Sequence, residues 1–230
     1  MRGTTTISQP TIFMKILSLC AGPVETNAYL IIDEVSLSAV AVDTPMDSAG
    51  WFEEESRKHR VVITEIWLTH SHWDHTADCE AVRAATNAKV ILHQADEYRL
   101  IDPNAHVVFS LPFQFAASKA DRFVAHGDVL TLGAFRWEVR HVPGHTEGSV
   151  CFIHHESKIA IVGDTLFRGS IGRTDLPGGN HDLLIRSIRN ELFSLPNEYV
   201  VLPGHMGNTT IGEERAENPF VGDTSDVWDS

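Results

Sequence analysis

Short apolar runs separated by turn residues dominate the hydrophobic pattern of the chain. Each run is short enough to be a strand rather than a helix. The runs cover residues 12–19, 28–32, 39–42, 66–69, 89–92, 135–142, 149–154, 159–162 and 199–202. The pattern therefore predicts strands in both halves of the chain, and the turn-rich residues 21–23 suggest an antiparallel pair at the start.

Helices are predicted between these strands. Asp47 is placed to cap a helix with a charged, solvated face, and residues 76–85 and 94–100 predict two more. Asn180 can cap a helix that has three apolar residues on one face, at positions 184, 188 and 192. Residues 103–123 show no clear period, so we expect a loop that either partly covers a site or packs over the core.

The strongest chemical signal is the segment from His70 to His75. It contains His70, His72, Asp74 and His75, and neutral imidazoles and carboxylates are what divalent metals bind. An apolar run precedes the segment and the predicted helix from residue 76 follows it. The sequence therefore predicts a metal-binding loop between a strand and a helix.

Three further candidates each follow an apolar, strand-like run. These are His145, Asp164 and His205. Five histidines and two aspartates exceed what one catalytic zinc uses, since such a zinc usually takes three protein ligands and a water. The surplus predicts two metal ions, and paired ions need a shared ligand. Asp164 stands alone between two histidine segments and is the natural bridge.

The pattern His-x-His-x-Asp-His, followed by single His, Asp and His residues at strand ends, resembles the metallo-β-lactamase superfamily. Within it the chain is most similar to small glyoxalase II-like (hydroxyacylglutathione hydrolase) proteins. Three segments carry this closer match, residues 163–167, 169–179 and 210–220. The resemblance implies a mixed α/β (α+β) fold, a four-layer αββα sandwich.

The resemblance also implies a ligand set. It places His70, His72 and His145 on one metal ion and Asp74, His75 and His205 on the other, with Asp164 between them. The expected cofactors are two divalent ions, zinc first, with iron and manganese as alternatives. We expect hydrolysis of a thioester such as S-D-lactoylglutathione by a metal-bridging hydroxide that Asp74 helps to orient.

Substrate binding is less well specified. Full-length glyoxalase II proteins have a lysine and a tyrosine that contact glutathione, and here Arg173 replaces the lysine while Asp175 stands near the tyrosine position. Arg173 is thus expected to bind a substrate carboxylate. The alternative is that Arg173 and Asp175 form a local ion pair.

Two other functions stay open. Persulfide dioxygenases of the same superfamily share the Gly-Arg-Thr-Asp segment found at residues 172–175 and use one iron, whose ligands would here be His70, His145 and Asp164. Those enzymes differ by a cysteine where this chain has Ile171 and by an Asp-Tyr pair where it has residues 206–207. The other alternative is a non-catalytic, metal-stabilised scaffold. Asp43 is either a partner that orients a ligand or a turn residue.

Composition narrows the class of protein. A formal charge of −13 argues against a nucleic-acid partner, because binding phosphates requires clustered lysine and arginine. No run approaches the length of a membrane span, so no membrane partner is expected. The three cysteines, Cys20, Cys79 and Cys151, are widely spaced, which favours buried thiols in a reducing, cytoplasmic location. We expect a small-molecule substrate, and the sequence leaves the oligomeric state undetermined.

The 230 residues suit one domain. The expected boundaries are an N-terminal extension at 1–13, a metallo-β-lactamase-like hydrolase domain at 14–222 and a flexible tail at 223–230.

Overall fold

Two six-stranded sheets form the centre of the molecule. The computed structural model describes residues 14–108 and 110–223. The predicted extension at 1–13 and nearly all of the predicted tail, residues 224–230, lie outside the described residues.

The first sheet comes from the N-terminal half. Its strands are β1 (Met14–Ala21), β2 (Thr26–Asp33), β3 (Ser38–Val42), β4 (Val62–Trp67), β5 (Lys89–His93) and β6 (Arg122–Val124), and they lie in this order. β1, β2 and β3 are antiparallel, whereas β3 to β6 are parallel. The parallel strands therefore deliver their following loops to one edge of the sheet.

The C-terminal half forms the second sheet and a small hairpin. The strands are β7 (Val129–Leu132), β8 (Phe135–His141), β9 (Val150–His154), β10 (Ile159–Gly163), β11 (Leu166–Phe167), β12 (Ser170–Ile171), β13 (Val200–Pro203) and β14 (Thr209–Thr210). The sheet order is β14-β13-β10-β9-β8-β7, and β10 pairs with β13 in parallel. The hairpin consists of β11 and β12.

Helices cover the outer faces of both sheets. They are α1 (Ala49–His59), α2 (Trp73–Thr76), α3 (Cys79–Thr86), α4 (Glu97–Ile101), α5 (His181–Ser187) and α6 (Ile211–Glu217). Short 3₁₀ turns lie at Gln94–Asp96 and Pro103–His106, and a π-helical turn at Ile188–Leu192 extends α5.

Two helix predictions need correction. Asp47 does not cap α1, because its backbone is left-handed (φ 67°) and the N-cap residue is Ser48. Instead, a carboxylate oxygen of Asp78 accepts hydrogen bonds from the backbone N–H groups of Ser48 and Ala49. The predicted helix at 76–85 is split into α2 and α3, and Asp78 lies at the break. The Asn180 cap is confirmed, since its side chain accepts from the Leu183 N–H.

Three hydrophobic layers separate the four structural layers. The sequence of β2 is continuously apolar because both of its faces are buried. Leu30 faces the helices, whereas Ile31 faces the other sheet. Phe52 of α1 and Val82 of α3 complete the outer layer. The middle layer lies between the sheets, and the third lies between the second sheet and α5 and α6. The predicted αββα sandwich is confirmed.

The cysteines follow the prediction in two of three cases. Cys79 and Cys151 are fully buried in the outer layers, whereas Cys20 is exposed near the end of edge strand β1, contrary to expectation. Across residues 14–108 and 110–223, none of the helices has the length and apolar character that crossing a membrane requires.

Candidate metal centre

All seven residues predicted as metal ligands lie together at one edge of the sandwich. They are His70, His72, Asp74, His75, His145, Asp164 and His205. The loop after β4 and the short helix α2 that follows it supply the first four, and the loops after β8, β10 and β13 supply one each. Both sheets therefore contribute to one cluster.

Three histidines form the first group. Nε2 of His145 lies 2.8 Å from Nδ1 of His72 and 3.2 Å from Nε2 of His70. At these distances three ring nitrogens converge on one point. His70 and His145 are almost fully buried, so little water can reach those nitrogens. A divalent ion fits such a convergence of imidazole nitrogens.

A carboxylate and two histidines form the second group. Oδ2 of Asp74 lies 3.3 Å from Nε2 of His75 and 3.2 Å from Nε2 of His205. Thr26 also donates its hydroxyl to Asp74 Oδ2 at 2.8 Å. This group draws on both halves of the chain, as the first does.

Asp164 lies between the two groups. Its Oδ1 is 3.2 Å from Nε2 of His75, and its Oδ2 is 3.5 Å from Nε2 of His145 and 3.4 Å from Nε2 of His205. The carboxylate thus faces histidines of both groups. This is the position that a shared ligand of two ions requires.

Two buried atoms of the cluster, His75 Nε2 and Asp164 Oδ1, face each other at 3.2 Å but make no well-aligned hydrogen bond to each other or to any other described residue. A buried polar atom without a partner is costly. Gly204 leaves the space open, since a Cβ there would lie 2.2 Å from Asp164 Oδ1 and 2.6 Å from His75 Cε1. The donor set and these two atoms therefore fit a metal ion.

Outer hydrogen bonds fix the histidine rings. Nδ1 of His75 donates to Asp43 Oδ2 at 2.8 Å, Nδ1 of His145 to the Arg173 carbonyl at 2.7 Å, and Nδ1 of His205 to the Val24 carbonyl at 3.1 Å. In each case the acceptor keeps the proton on Nδ1 and leaves Nε2 for the cluster. Of the two roles considered for Asp43, the structure therefore favours the partner that orients a candidate ligand, here His75.

The electrostatics differ between the groups. Burial lowers the pKa of His70 well below its ordinary value and that of His72 to about 3, so both rings are neutral. Burial also opposes a charge on His75, but nearby carboxylates, above all Asp164, outweigh it and raise the pKa of His75 well above the usual value. For Asp164, burial favours the acid, yet the adjacent histidines hold its pKa well below the ordinary range.

Asp96 is a structural centre that the sequence did not reveal. Its fully buried carboxylate accepts from the N–H and hydroxyl of Ser71 at 2.9 and 3.1 Å and from the hydroxyl of Thr146 at 2.9 Å. It also accepts from the Gly148 N–H at 2.7 Å and from Arg99 at 3.2 Å. Asp96 thus joins the His70–His75 loop to the loop that carries His145.

Arg99 extends this connection. Its guanidinium is nearly buried and donates to Glu147 at 2.7 Å and to the Pro177 carbonyl at 2.8 Å. It also lies over the ring of Tyr98, 4.5 Å from the centroid. Residues 173–177 are therefore held to the same centre as the metal loops.

A cavity of about 270 Å³ opens beside the cluster. His72, Asp74 and Asp164 of the cluster line it. Val107 and Val108 also line the cavity. Part of the 103–123 segment therefore lies at the site, which was one of its two predicted positions. Phe115, further along the segment, is buried and stacks on Trp73, which also lines the cavity.

Arg173 lines the cavity and pairs with Asp175. Its Nε and Nη2 donate to the two carboxylate oxygens at 2.7 and 2.8 Å, and both side chains are more than half exposed. The ion pair between Arg173 and Asp175, which was the alternative prediction, is therefore present in the structure. The hydrogen bond from Arg173 lowers the pKa of Asp175 to about 2. A substrate-binding role for Arg173 stays a prediction.

Sequence comparisons find enzymes among the relatives. Hydroxyacylglutathione hydrolase GloC of Haemophilus influenzae is 38% identical over 204 residues, covering 87% of this chain and 95% of the relative. The probable metallo-hydrolase YqgX of Bacillus subtilis is 32% identical and covers 90% of this chain and 98% of the relative.

Three solved structures share the fold over most of the chain. BLEG-1, a B3 metallo-beta-lactamase, is 36% identical with a TM-score of 0.83, covering 90% of this chain and 99% of that one. TTHA1623 in a di-iron-bound form is 33% identical with a TM-score of 0.77 and coverage of 89% and 99%. ETHE1 from Myxococcus xanthus is 29% identical with a TM-score of 0.75 and coverage of 90% and 84%.

The family is shown by a direct match as well. A family model described as the metallo-beta-lactamase superfamily matches residues 21–205, which include all seven clustered residues. Its fold binds metal ions, and the predicted resemblance is confirmed. This chain is a member of the metallo-β-lactamase superfamily of metallo-hydrolases.

Proposed function

We propose that the chain is a thioester hydrolase that uses two divalent metal ions, with S-D-lactoylglutathione as a representative substrate. The observation that carries the proposal is the position of Asp164 between two complete donor groups. The named activity of GloC supports the substrate class. The di-iron form of TTHA1623 supports two ions and favours iron among the alternatives to zinc.

The seven residues have distinct tasks in this proposal. His70, His72 and His145 would hold one ion, and Asp74, His75 and His205 the other, with Asp164 shared. When bound, the ions would activate a water molecule and polarise the substrate carbonyl. Asp74 would help to orient that water, since its Oδ2 is held in place by the Thr26 hydroxyl.

A thioester suits what the chain itself provides. A thiol with a pKa near 8.5 leaves as a thiolate without strong proton donation. Of the ionisable groups on the cavity wall, Tyr98 is a poor acid, because burial raises its pKa to about 12. Arg173 lies where the thiol's carrier would pass, and a substrate carboxylate would have to compete with Asp175 for it.

A persulfide dioxygenase with one iron is the second candidate. The ETHE1 structure and the Gly-Arg-Thr-Asp segment at residues 172–175 favour it. The geometry argues for the hydrolase, because a mononuclear site on His70, His145 and Asp164 leaves no task for the equally complete group at Asp74, His75 and His205.

The test is Asp164→Ala, compared with Asp182→Ala, which removes an exposed carboxylate on α5. Metal content, S-lactoylglutathione hydrolysis and oxygen uptake with glutathione persulfide are measured for each protein. We expect about two ions and thioester turnover in the unaltered chain, and loss of turnover and of at least one ion in Asp164→Ala only.

Full turnover in Asp164→Ala would refute the shared-ligand mechanism. One iron per chain with oxygen uptake and no thioester turnover would establish the second candidate instead. Metal binding without either reaction would favour the non-catalytic scaffold. Hydrolysis of a cephalosporin is measured with the same proteins, because BLEG-1 is a β-lactamase.

A further inference from the structure

The cavity beside the metal centre has an apolar wall that the proposed reaction does not use. Six of its residues matter here: Trp73, Tyr98, Val107, Val108, Leu176 and Pro177. They line the same cavity as His72 and Asp74, so a group that they contact belongs to a molecule bound beside the cluster. The wall therefore contributes to the choice of substrate.

The wall is held in place by the fold. Trp73 stacks on Phe115 with ring centroids 5.3 Å apart and an interplanar angle of 26°. Asn104 binds Phe115 twice, accepting from its N–H and donating to its carbonyl, both at 2.9 Å. These contacts close the loop that carries Val107, and the Arg99 bond to the Pro177 carbonyl holds Pro177, another residue of the wall.

The two arginines that line the cavity already pair with carboxylates of the protein. Arg99 lies between Asp96 at 3.2 Å and Glu147 at 2.7 Å. Arg173 makes a two-bond pair with Asp175. An anionic group on this wall would have to displace one of these carboxylates, and the chain's formal charge of −13 adds no attraction. A neutral, apolar group meets no such competition.

We propose that this wall binds an apolar substituent of the scissile thioester, an alkyl or aryl group larger than the side chain of a lactoyl group. The inference rests on the proposed thioester hydrolysis and names its substrate class. Burying each added methylene on the wall should increase kcat/KM about fourfold until the wall is filled. The substituent belongs either to the acyl group or to the thiol.

Two substrate series distinguish these sources. The first keeps glutathione as the thiol and varies the acyl group through lactoyl, butyryl, hexanoyl and phenylacetyl. The second keeps an acetyl group and varies the thiol through ethanethiol, butanethiol and hexanethiol. We expect kcat/KM to rise about fourfold per methylene in one series, and that series identifies the bound group.

The wall itself is tested with Val107→Asp, which places a carboxylate on it. The rise with chain length should disappear in this variant. Val35→Asp, at an exposed turn between β2 and β3, is the matched control and should keep the rise. A rise that survives in Val107→Asp would overturn the assignment of the wall.

The two proposals fail in different ways. If thioesters are hydrolysed but kcat/KM is flat or falls along both series, the apolar substituent is refuted and the thioester hydrolase stands. If no thioester in either series is hydrolysed by the metal-loaded protein, both proposals are refuted.

Discussion

Replacing Asp96 with Asn tests the connection between the metal loops. Five donors share the Asp96 carboxylate, three at Oδ2 and two at Oδ1. The less disruptive orientation of Asn keeps its carbonyl oxygen at Oδ2, for Ser71 and Thr146. Its amide group then faces the Gly148 N–H and Arg99, so two buried donors lose their acceptor.

The structure gives the size of this effect. A buried donor without a partner costs about 1–3 kcal/mol, so two cost about 2–6 kcal/mol in the free energy of unfolding. Arg99 keeps its 2.7 Å contact with Glu147, which spares it the larger penalty of a wholly unpaired buried charge. Because Gly148 and Ser71 anchor the loops of the first group, metal binding by His145 and its partners should weaken about 10- to 100-fold.

The assay combines guanidinium denaturation with a chelator competition that measures the affinity of the protein for its bound metal. Asp121→Asn is a matched control, since Asp121 also accepts from a backbone N–H, that of Val90, and from an arginine, Arg83. The Asp121 side chain is 30% exposed, so its variant should lose at most about 1 kcal/mol and bind metal as the unaltered chain does. If Asp96→Asn behaves like this control in both measurements, Asp96 does not hold the loops together.

Three further changes have defined outcomes. Asp43→Ala takes the acceptor from His75 and should weaken metal binding about 10- to 100-fold, measured by chelator competition; unchanged affinity would contradict that orienting role. Gly204→Ala places a Cβ against Asp164 and His75, so metal content should fall while the circular dichroism spectrum is kept; a full metal complement would show that the loop can move aside. Asn180→Ala removes the α5 cap and should lower the free energy of unfolding by about 1 kcal/mol in urea denaturation, with no effect on metal content.

The sequence predicted the cluster well because its members are metal-binding residue types in a recognisable pattern. Histidines and aspartates at the ends of apolar runs predict both their chemistry and their location, and the loops after β4, β8, β10 and β13 deliver them to one edge. The strands were predicted for a similar reason, since burial on both faces makes a run such as β2 continuously apolar.

The supporting groups could not be predicted in the same way. Asp96 and Asp78 each act on residues at least 25 positions away, so their roles depend on how distant loops meet. Asp47, next to the start of α1, satisfied the local rule for a cap, yet Asp78 supplied the acceptor from another loop. The local sequence pattern does not reveal contacts between residues so far apart in the chain. Cys20 was misjudged because apolar neighbours in sequence did not mean burial on an edge strand.

Each donor group draws on both halves of the molecule, and this has a consequence for how the protein unfolds. An ion held by His72 and His145, or by His75 and His205, would act as a crosslink between segments that are 73 and 130 residues apart in the chain. Such a long-range link removes conformational freedom from the unfolded chain, much as a disulfide does. Loss of metal and separation of the two sheets should then be one cooperative event, and a chelator would act as a denaturant.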